Sequence, residues 1–318
     1  MSQIPTKVPP GAGFRARLIA FCGKQWPRYF FLGAIGFIIR LPAIQGPLIW
    51  DDVFLTRDNP FIKSPLLALE AFRHYLFLDS FSGHYRPVQN LSYMFDYFFW
   101  NTDPAGFHLS NIFLHVAAGL LLYRLLTHLF GNRAGLWDND DPGSTRAGTL
   151  AAFVISGIWM VHPVHSAAID YISGRADSLA FAFSAGAWLL VLRARIVKTR
   201  WLKGIIYSLA ALAGVLALCS REIACIWILI FLVHTLAFAR DIGRKAKITT
   251  IVCCALVLGT YAELRRLPVA RPEKPLTDDW SAPVRGTLML RALGDYGRLM
   301  VFPEIGRASC RERVFSSV

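Results

Sequence analysis

The chain has 318 residues, 54% hydrophobic and 17% charged, with a formal net charge of +13. Soluble domains keep about 25% of their residues charged. The low charged share and the mean hydropathy of +0.42 therefore exclude a water-soluble globular fold and place most of the chain in lipid. A basic balance of this size raises nucleic-acid binding as a class, but the positions of the charges remove it, as shown below.

Residues 1–28 carry Lys7, Arg15, Arg17, Lys24 and Arg28 and read as a cytoplasmic leader. The apolar run that follows is longer than a signal-peptide core and has no small-residue cleavage site, so it reads as a retained first span. A bilayer-crossing helix needs roughly 17 to 25 apolar residues. By that measure spans are predicted at 29–49, 107–130, 148–163, 177–193, 204–220, 223–239 and 248–264, with an incomplete eighth near 287–303. The expected class is all-α and polytopic, with seven to eight membrane helices and a large first outer loop. The span 148–163 is short and runs into His162-Pro163, which predicts a tilted or deeply seated helix. Trp26, Trp50, Trp100, Trp159 and Trp201 sit at span ends, where aromatic side chains favour the headgroup zone.

Positive residues near span ends stay on the cytoplasmic side. The leader, the connection with Arg193, Arg195, Lys198, Arg200 and Lys203, and the connection with Arg240, Arg244, Lys245 and Lys247 are therefore placed inside. Arg265, Arg266, Arg271 and Lys274 follow the seventh span and run against this pattern. The first loop, 50–106, holds Asp51, Asp52, Asp58, Glu70, Asp79, Asp96 and Asp103 against Arg57, Lys63, Arg73 and Arg86, and is placed outside. The net charge is then a cytoplasmic bias of a protein whose partner is the lipid bilayer, and no nucleic acid is expected.

Chemistry is sought on the outer connections. Asp51-Asp52 follows Trp50 at the membrane surface, where partial desolvation raises a carboxylate's basicity toward general-base use; taken alone, the pair reads rather as a helix N-cap with a polar neighbour. His84-Tyr85-Arg86-Pro87 precedes the apolar positions Val88, Leu91, Met94 and Phe98, which predicts a helix starting at the proline. Arg86 there either clamps a phosphate with its fork of donors or pairs with one of the loop's acids. His162-Pro163-Val164-His165, then Asp170, then Gly174-Arg175-Ala176-Asp177 crowd one connection. The proline between the histidines and the lack of a zinc spacing leave a divalent metal as a minor alternative to substrate hydrogen bonding; no metal site and no cofactor are predicted. Ser220-Arg221-Glu222 places a charged pair in a connection short enough to hug the membrane, either functional or self-paired. Asp278-Asp279-Trp280 reads as solvated loop. No Gly-rich phosphate loop, nucleophile elbow or CxxC occurs, and the cysteines show no metal spacing.

Residues 305–314 read IGRASCRERV and back-translate codon for codon to a common short-read sequencing adapter. Residues 304–318 are therefore expected to be foreign, and 29–303 to be an incomplete transmembrane domain.

The segments WDDVFLTRDNP, HYRPVQNLSY, GFHLSNIFLHV, HPVHSAAIDYISGRADSLA, SREIACIW and ALGDYGRLMVFP occur in this order. In them the chain resembles the transmembrane and TPR repeat-containing O-mannosyltransferases and their bacterial relatives, of the GT-C class of polyprenyl-phosphate-dependent glycosyltransferases. The resemblance implies a GT-C-like fold and transfer of a sugar, mannose by expectation, from a polyprenyl- or dolichyl-phosphate donor to a protein Ser/Thr hydroxyl. It places this on the periplasmic or luminal face of a bacterial inner membrane or endoplasmic reticulum membrane. It implies Asp51 and Asp52 as catalytic, not separable from one another, with Arg221, Arg86 and Arg175 as cations for the leaving lipid phosphate. Tyr85, His162, His165, Asp177 and Glu222 are the further substrate-binding expectations. The family commonly has Lys where Arg221 stands, and the 34-residue TPR period is absent before Pro303. Two alternatives remain: a GT-C enzyme with a lipid or glycan acceptor, and a non-enzymatic carrier or scaffold.

Overall fold

The computed structural model describes residues 25–77, 83–131, 142–239, 242–268 and 281–302. Most of the leader, the adapter-like tail, Asp79 and Asp278-Asp279-Trp280 lie outside the described residues. Among the described residues every regular element is helical.

The helices are α1 (Gln25–Arg40), α2 (Pro87–Trp100), α3 (Pro104–Gly131), α4 (Pro142–Val161), α5 (Arg175–Ile196), α6 (Arg200–Ser220), α7 (Ala224–Val233), α8 (Arg244–Leu264) and α9 (Ala282–Val301). α2, α3 and α4 begin on proline, whose missing N–H costs nothing in a first turn. Each of the seven predicted spans is occupied by a helix, and the fold is an all-α polytopic membrane protein. Five stretches are long and apolar enough to cross: Trp26–Gln45, Pro104–Phe130, Ile172–Ile196, Arg200–Ser220 and Arg244–Leu264.

Three predicted spans differ from expectation, each for a local reason. The 148–163 span continues past its end as Ala147–Val161 and Pro163–Ile169, bent by 50°, because Pro163 cannot donate to the helix ladder. The 223–239 span is Ala224–Phe238, shorter than the others, with a π-helical last turn His234–Phe238. The 287–303 stretch is helical within α9 but carries Arg291, Asp295 and Arg298, and it is not among the stretches apolar enough to cross.

Helix α3 is the centre of the bundle, packed on α1, α4 and α5; α5 runs along α6, which in turn meets α8. Small residues permit the close approach: a Cβ at Gly36 or Gly119 would run into the side chain of Met160. Outward residues such as Phe30 on α1, Leu209 on α6 and Leu256 on α8 are exposed, as lipid-facing positions are. The segment between α1 and α2 is a string of short 3-10 and π-helical turns. It has its own core of Leu55, Ile62, Leu76, Tyr93, Met94, Phe107 and Ile172, which seats it on the start of α3 and the start of α5.

Candidate functional site

Asp51 and Asp52, adjacent in sequence, have separate environments. Trp50 adopts φ 49, a left-handed conformation that a bulky residue holds only under constraint. Asp51 and Asp52 follow as consecutive helical residues, whose side chains point about 100° apart around the axis, so one is exposed and the other buried. Asp52 is fully buried. Its Oδ1 accepts from the Ser173 N–H at 2.8 Å, and its Oδ2 from the Ile172 N–H at 3.2 Å and the Ile49 N–H at 3.4 Å. It is a clamp between the first loop and the turn that opens α5. Burial pushes its carboxyl up to about 6, against the lowering effect of the three amides.

Asp51 is exposed and lines a cavity of about 600 Å³ with Trp50, Phe54, Leu76, Phe77, His84, Arg86, Ser173 and Arg221. That volume suits a small-molecule head group, within the roughly 300–1,000 Å³ of ligand sites. Tyr171 lies close enough to the same carboxylate to feel its charge. Burial raises its phenol to about 12; the Ser173 hydroxyl opposes this, and the carboxylates of Asp51 and Asp52 add to it.

The cations come from two other elements. Arg86 precedes α2, and its Nε stands 3.5 Å from Glu222 Oε2 with no hydrogen bond of its own. Arg221, at the end of α6, pairs with Asp177 in the first turn of α5. Each arginine is thus balanced by an acid, yet a guanidinium has five donors, so pairing leaves N–H groups to offer. Arg86, Arg221, Glu222 and Asp177 come together from positions far apart in sequence, and the first two line the cavity with Asp51.

Arg175 is placed elsewhere. It is fully buried, with Nη1 2.6 Å from Asp96 Oδ2, Nε donating to Asn111 Oδ1 at 2.9 Å and Nη2 to the Phe107 carbonyl at 3.0 Å. Its guanidinium lies 4.6 Å from the centre of the Tyr93 ring. Its donors are spent inside the protein, joining α2, α3 and α5. Tyr85 is likewise buried, donating to the Phe72 carbonyl at 3.2 Å. The two histidines sit at the bend after α4. His162 Nδ1 accepts from the Val164 N–H at 3.2 Å and its Nε2 lies 3.2 Å from the Met300 carbonyl; His165 lies against Trp159 and His115. Neither is among the residues lining the cavity. No group of three or more metal-ligating side chains converges among the described residues.

Two residues that the motifs did not single out matter here. Tyr171 and Ser173 lie inside the HPVH…GRAD run, and only the fold brings them to Asp51. Gly174 is forced by its surroundings: a Cβ there would meet the Ala167 carbonyl oxygen and lie 2.8 Å from Ala168 Cα. This close approach of backbone to backbone sets the 172–173 amides at the Asp52 carboxylate.

The raised Asp52 carboxyl has a consequence for stability. A group whose folded pKa lies above the unfolded value of 3.8 stabilises the fold most below that value, and the contribution is lost as pH rises through about 6. Asp52→Asn removes the titration. The thermal midpoint of the wild type relative to Asp52→Asn is expected to fall between pH 4 and pH 6.5, measured by intrinsic fluorescence in detergent; a difference constant with pH would refute the burial of Asp52.

Several protein O-mannosyl-transferases are similar to this chain. Tmtc3 of Drosophila melanogaster is 32% identical over 163 residues, 46% of this chain and 17% of that protein. A protein O-mannosyl-transferase of Caenorhabditis elegans is 29% identical over 183 residues, 55% and 24% of the two chains. Tmtc2 of Xenopus laevis is 31% identical over 153 residues, 45% and 16%. The matches thus span about half of this chain and a quarter or less of each relative. No known family profile and no solved structure matches.

Proposed function

We propose, for a chain that belongs to the family of these protein O-mannosyl-transferases, that it carries the donor and catalytic part of a membrane glycosyltransferase. It moves a sugar, mannose by preference, from a polyprenyl- or dolichyl-phosphate to a Ser/Thr hydroxyl of a protein on the outer or luminal face. The observation that carries this reading is the cavity that gathers Asp51, Arg86 and Arg221 between apolar walls at the end of the bundle.

The chemistry follows from those groups. Asp51 takes the proton of the acceptor hydroxyl as its oxygen attacks the anomeric carbon. The bond from that carbon to the phosphate oxygen breaks, and the lipid phosphate leaves with the electron pair, inverting the sugar carbon. Charge grows on the phosphate as the bond breaks, and fixed cations facing it lower the barrier. Arg221 and Arg86 supply them, each with donors beyond those held by Asp177 and Glu222. Trp50, Phe54 and Phe77 give apolar wall to the sugar and to the first part of the lipid. Tyr171 stands beside the Asp51 carboxylate, and Asp52 holds the loop that carries it.

The test is transfer itself. Purified protein of full native length, given a radiolabelled polyprenyl-phosphate mannose and a Ser/Thr-containing peptide, should yield labelled peptide sensitive to α-mannosidase. Label recovered only in lipid or free glycan would overturn the acceptor assignment; no transfer from any lipid-phosphate sugar would overturn the reaction.

A further inference from the structure

His84 lines the cavity with Asp51, Arg86 and Arg221 but has no part in the proposed transfer. Residues 83–86 form no helical turn, and the side chains there alternate. His84 and Arg86 line the cavity, while Tyr85 between them is buried in a core with Val88, Ala217 and Leu218. The segment is pinned at three points. The Leu76 N–H donates to the His84 carbonyl at 2.8 Å, the Tyr85 hydroxyl donates to the Phe72 carbonyl at 3.2 Å, and Pro87 opens α2. The backbone thus holds His84 at the cavity beside the two arginines.

The charged groups around this ring come from several elements. Arg86 belongs to its own segment, Arg221 and Glu222 to the turn between α6 and α7, and Arg265 to the end of α8. Asp177 of α5 is paired with Arg221, and Asp51 lines the same cavity. Burial holds the imidazole below its ordinary value; Arg86 adds to this, Glu222 opposes it, and Arg221 and Arg265 add again. The ring is therefore neutral at neutral pH while those arginines act on it alone. An anion seated between Arg86 and Arg221 offsets the field of both. The proton that the cations disfavoured is then favoured, and the imidazolium gains an anionic acceptor.

We propose that His84 is a third phosphate-binding group of the cavity and makes donor capture proton-linked: it takes one proton from solvent as the phosphodiester of a lipid-linked sugar seats between Arg86 and Arg221, and donates a hydrogen bond to it. The inference rests on the donor reading of this cavity. The sign of the linkage is fixed by which state holds the proton more tightly. Affinity is greatest at low pH, where the ring is charged with and without the donor. It falls as pH rises and is least where the ring is neutral in both states. The difference between the two limits is about tenfold, the worth of one hydrogen bond to a charged group. The phosphate of a bilayer phospholipid offers the same chemistry, so the two sources have to be separated.

The experiment is equilibrium binding of a radiolabelled mannosyl-phosphoryl polyprenol to protein of full native length in phosphatidylcholine nanodiscs, from about pH 5 to pH 8. The phosphodiester keeps one negative charge over that range, so the probe itself does not titrate. The fall in affinity should be about tenfold larger in the wild type than in His84→Gln, which keeps an N–H donor without a titration. Asp52 is the same in both and cancels. His84→Lys, whose charge persists, should hold the low-pH affinity up to pH 8, and it supplies the comparison should His84→Gln fail to fold. Equal pH dependence in the wild type and both variants would overturn the role of His84 and leave the donor reading standing. Saturable binding by neither wild type nor variants at any pH would overturn the donor reading and the proposal with it. Competition by phosphatidylglycerol at equal affinity would overturn the lipid-linked sugar as the source of the phosphate.

Discussion

Asp51→Asn is expected to abolish most sugar transfer, by about 10²–10⁴-fold as for loss of a general base, while leaving the thermal midpoint unchanged. Asp52→Asn is expected to do the opposite, lowering the midpoint and sparing much of the rate per folded molecule. The two carboxylates differ in what they touch. Asp51 opens on the cavity beside Arg86 and Arg221, whereas Asp52 is fully buried with its oxygens taken by the amides of Ile49, Ile172 and Ser173. An Asn at position 52 presents an NH₂ to at least one of those donors and leaves a buried N–H without a partner, a loss of about 1–3 kcal/mol. Initial rates with a labelled lipid-phosphate sugar, read alongside scanning fluorimetry on the same preparations, decide the matter. Equal rate losses in both variants would overturn the division of roles between the two carboxylates, and a silent Asp51→Asn would remove Asp51 from the reaction.

What could be read from the residues in advance follows a physical divide. Membrane helices announce themselves through runs of apolar residues, since lipid imposes one rule on the whole stretch. Pro163 warned of a broken helix, and Pro87 marked the start of α2. Arg221 and Glu222 were legible as charges close to lipid, Arg86 as either a phosphate clamp or the partner of an acid, and the fold brings these three together with Asp177. Their grouping with Asp51 depends on long-range packing, which no local pattern encodes. Arg175 shows the limit most clearly. From sequence it is one more cation near the membrane surface, but Ser92, Asp96, Phe107 and Asn111 reach it from α2 and α3. A signal was present: Asp96 is an acid among Phe95, Tyr97, Phe98 and Phe99, and an acid in such a run needs a buried cation. Tyr171 had no such signal, because a tyrosine beside a turn is ordinary until the turn is placed against Asp51.

The buried pair formed by Arg175 and Asp96 leads to the second large effect. Removing one partner strands a charge in a dry interior, at a cost of about 3–5 kcal/mol, so Arg175→Ala or Asp96→Ala is expected to lower the thermal midpoint steeply or prevent folding. Arg175→Lys should fare little better, since a single ammonium cannot reach Asp96, Asn111 and the Phe107 carbonyl together. The double variant Arg175→Met/Asp96→Leu should recover part of the lost stability, because it leaves neither charge stranded. The pair also supports the site at one remove: Arg175 follows directly on Ser173 and Gly174, whose backbone meets Asp52, so the single variants should lose activity in step with the folded fraction. Thermal midpoints and transfer rates across the three single variants and the double one separate support from chemistry. If Arg175→Ala kept the wild-type midpoint and lost only transfer, the arginine would belong in the cavity with Arg86 and Arg221, and its burial between α2 and α3 would be wrong. If the double variant regained both stability and transfer, the guanidinium would have no part in the reaction beyond holding the turn that anchors Asp52 and, through it, the backbone that presents Asp51.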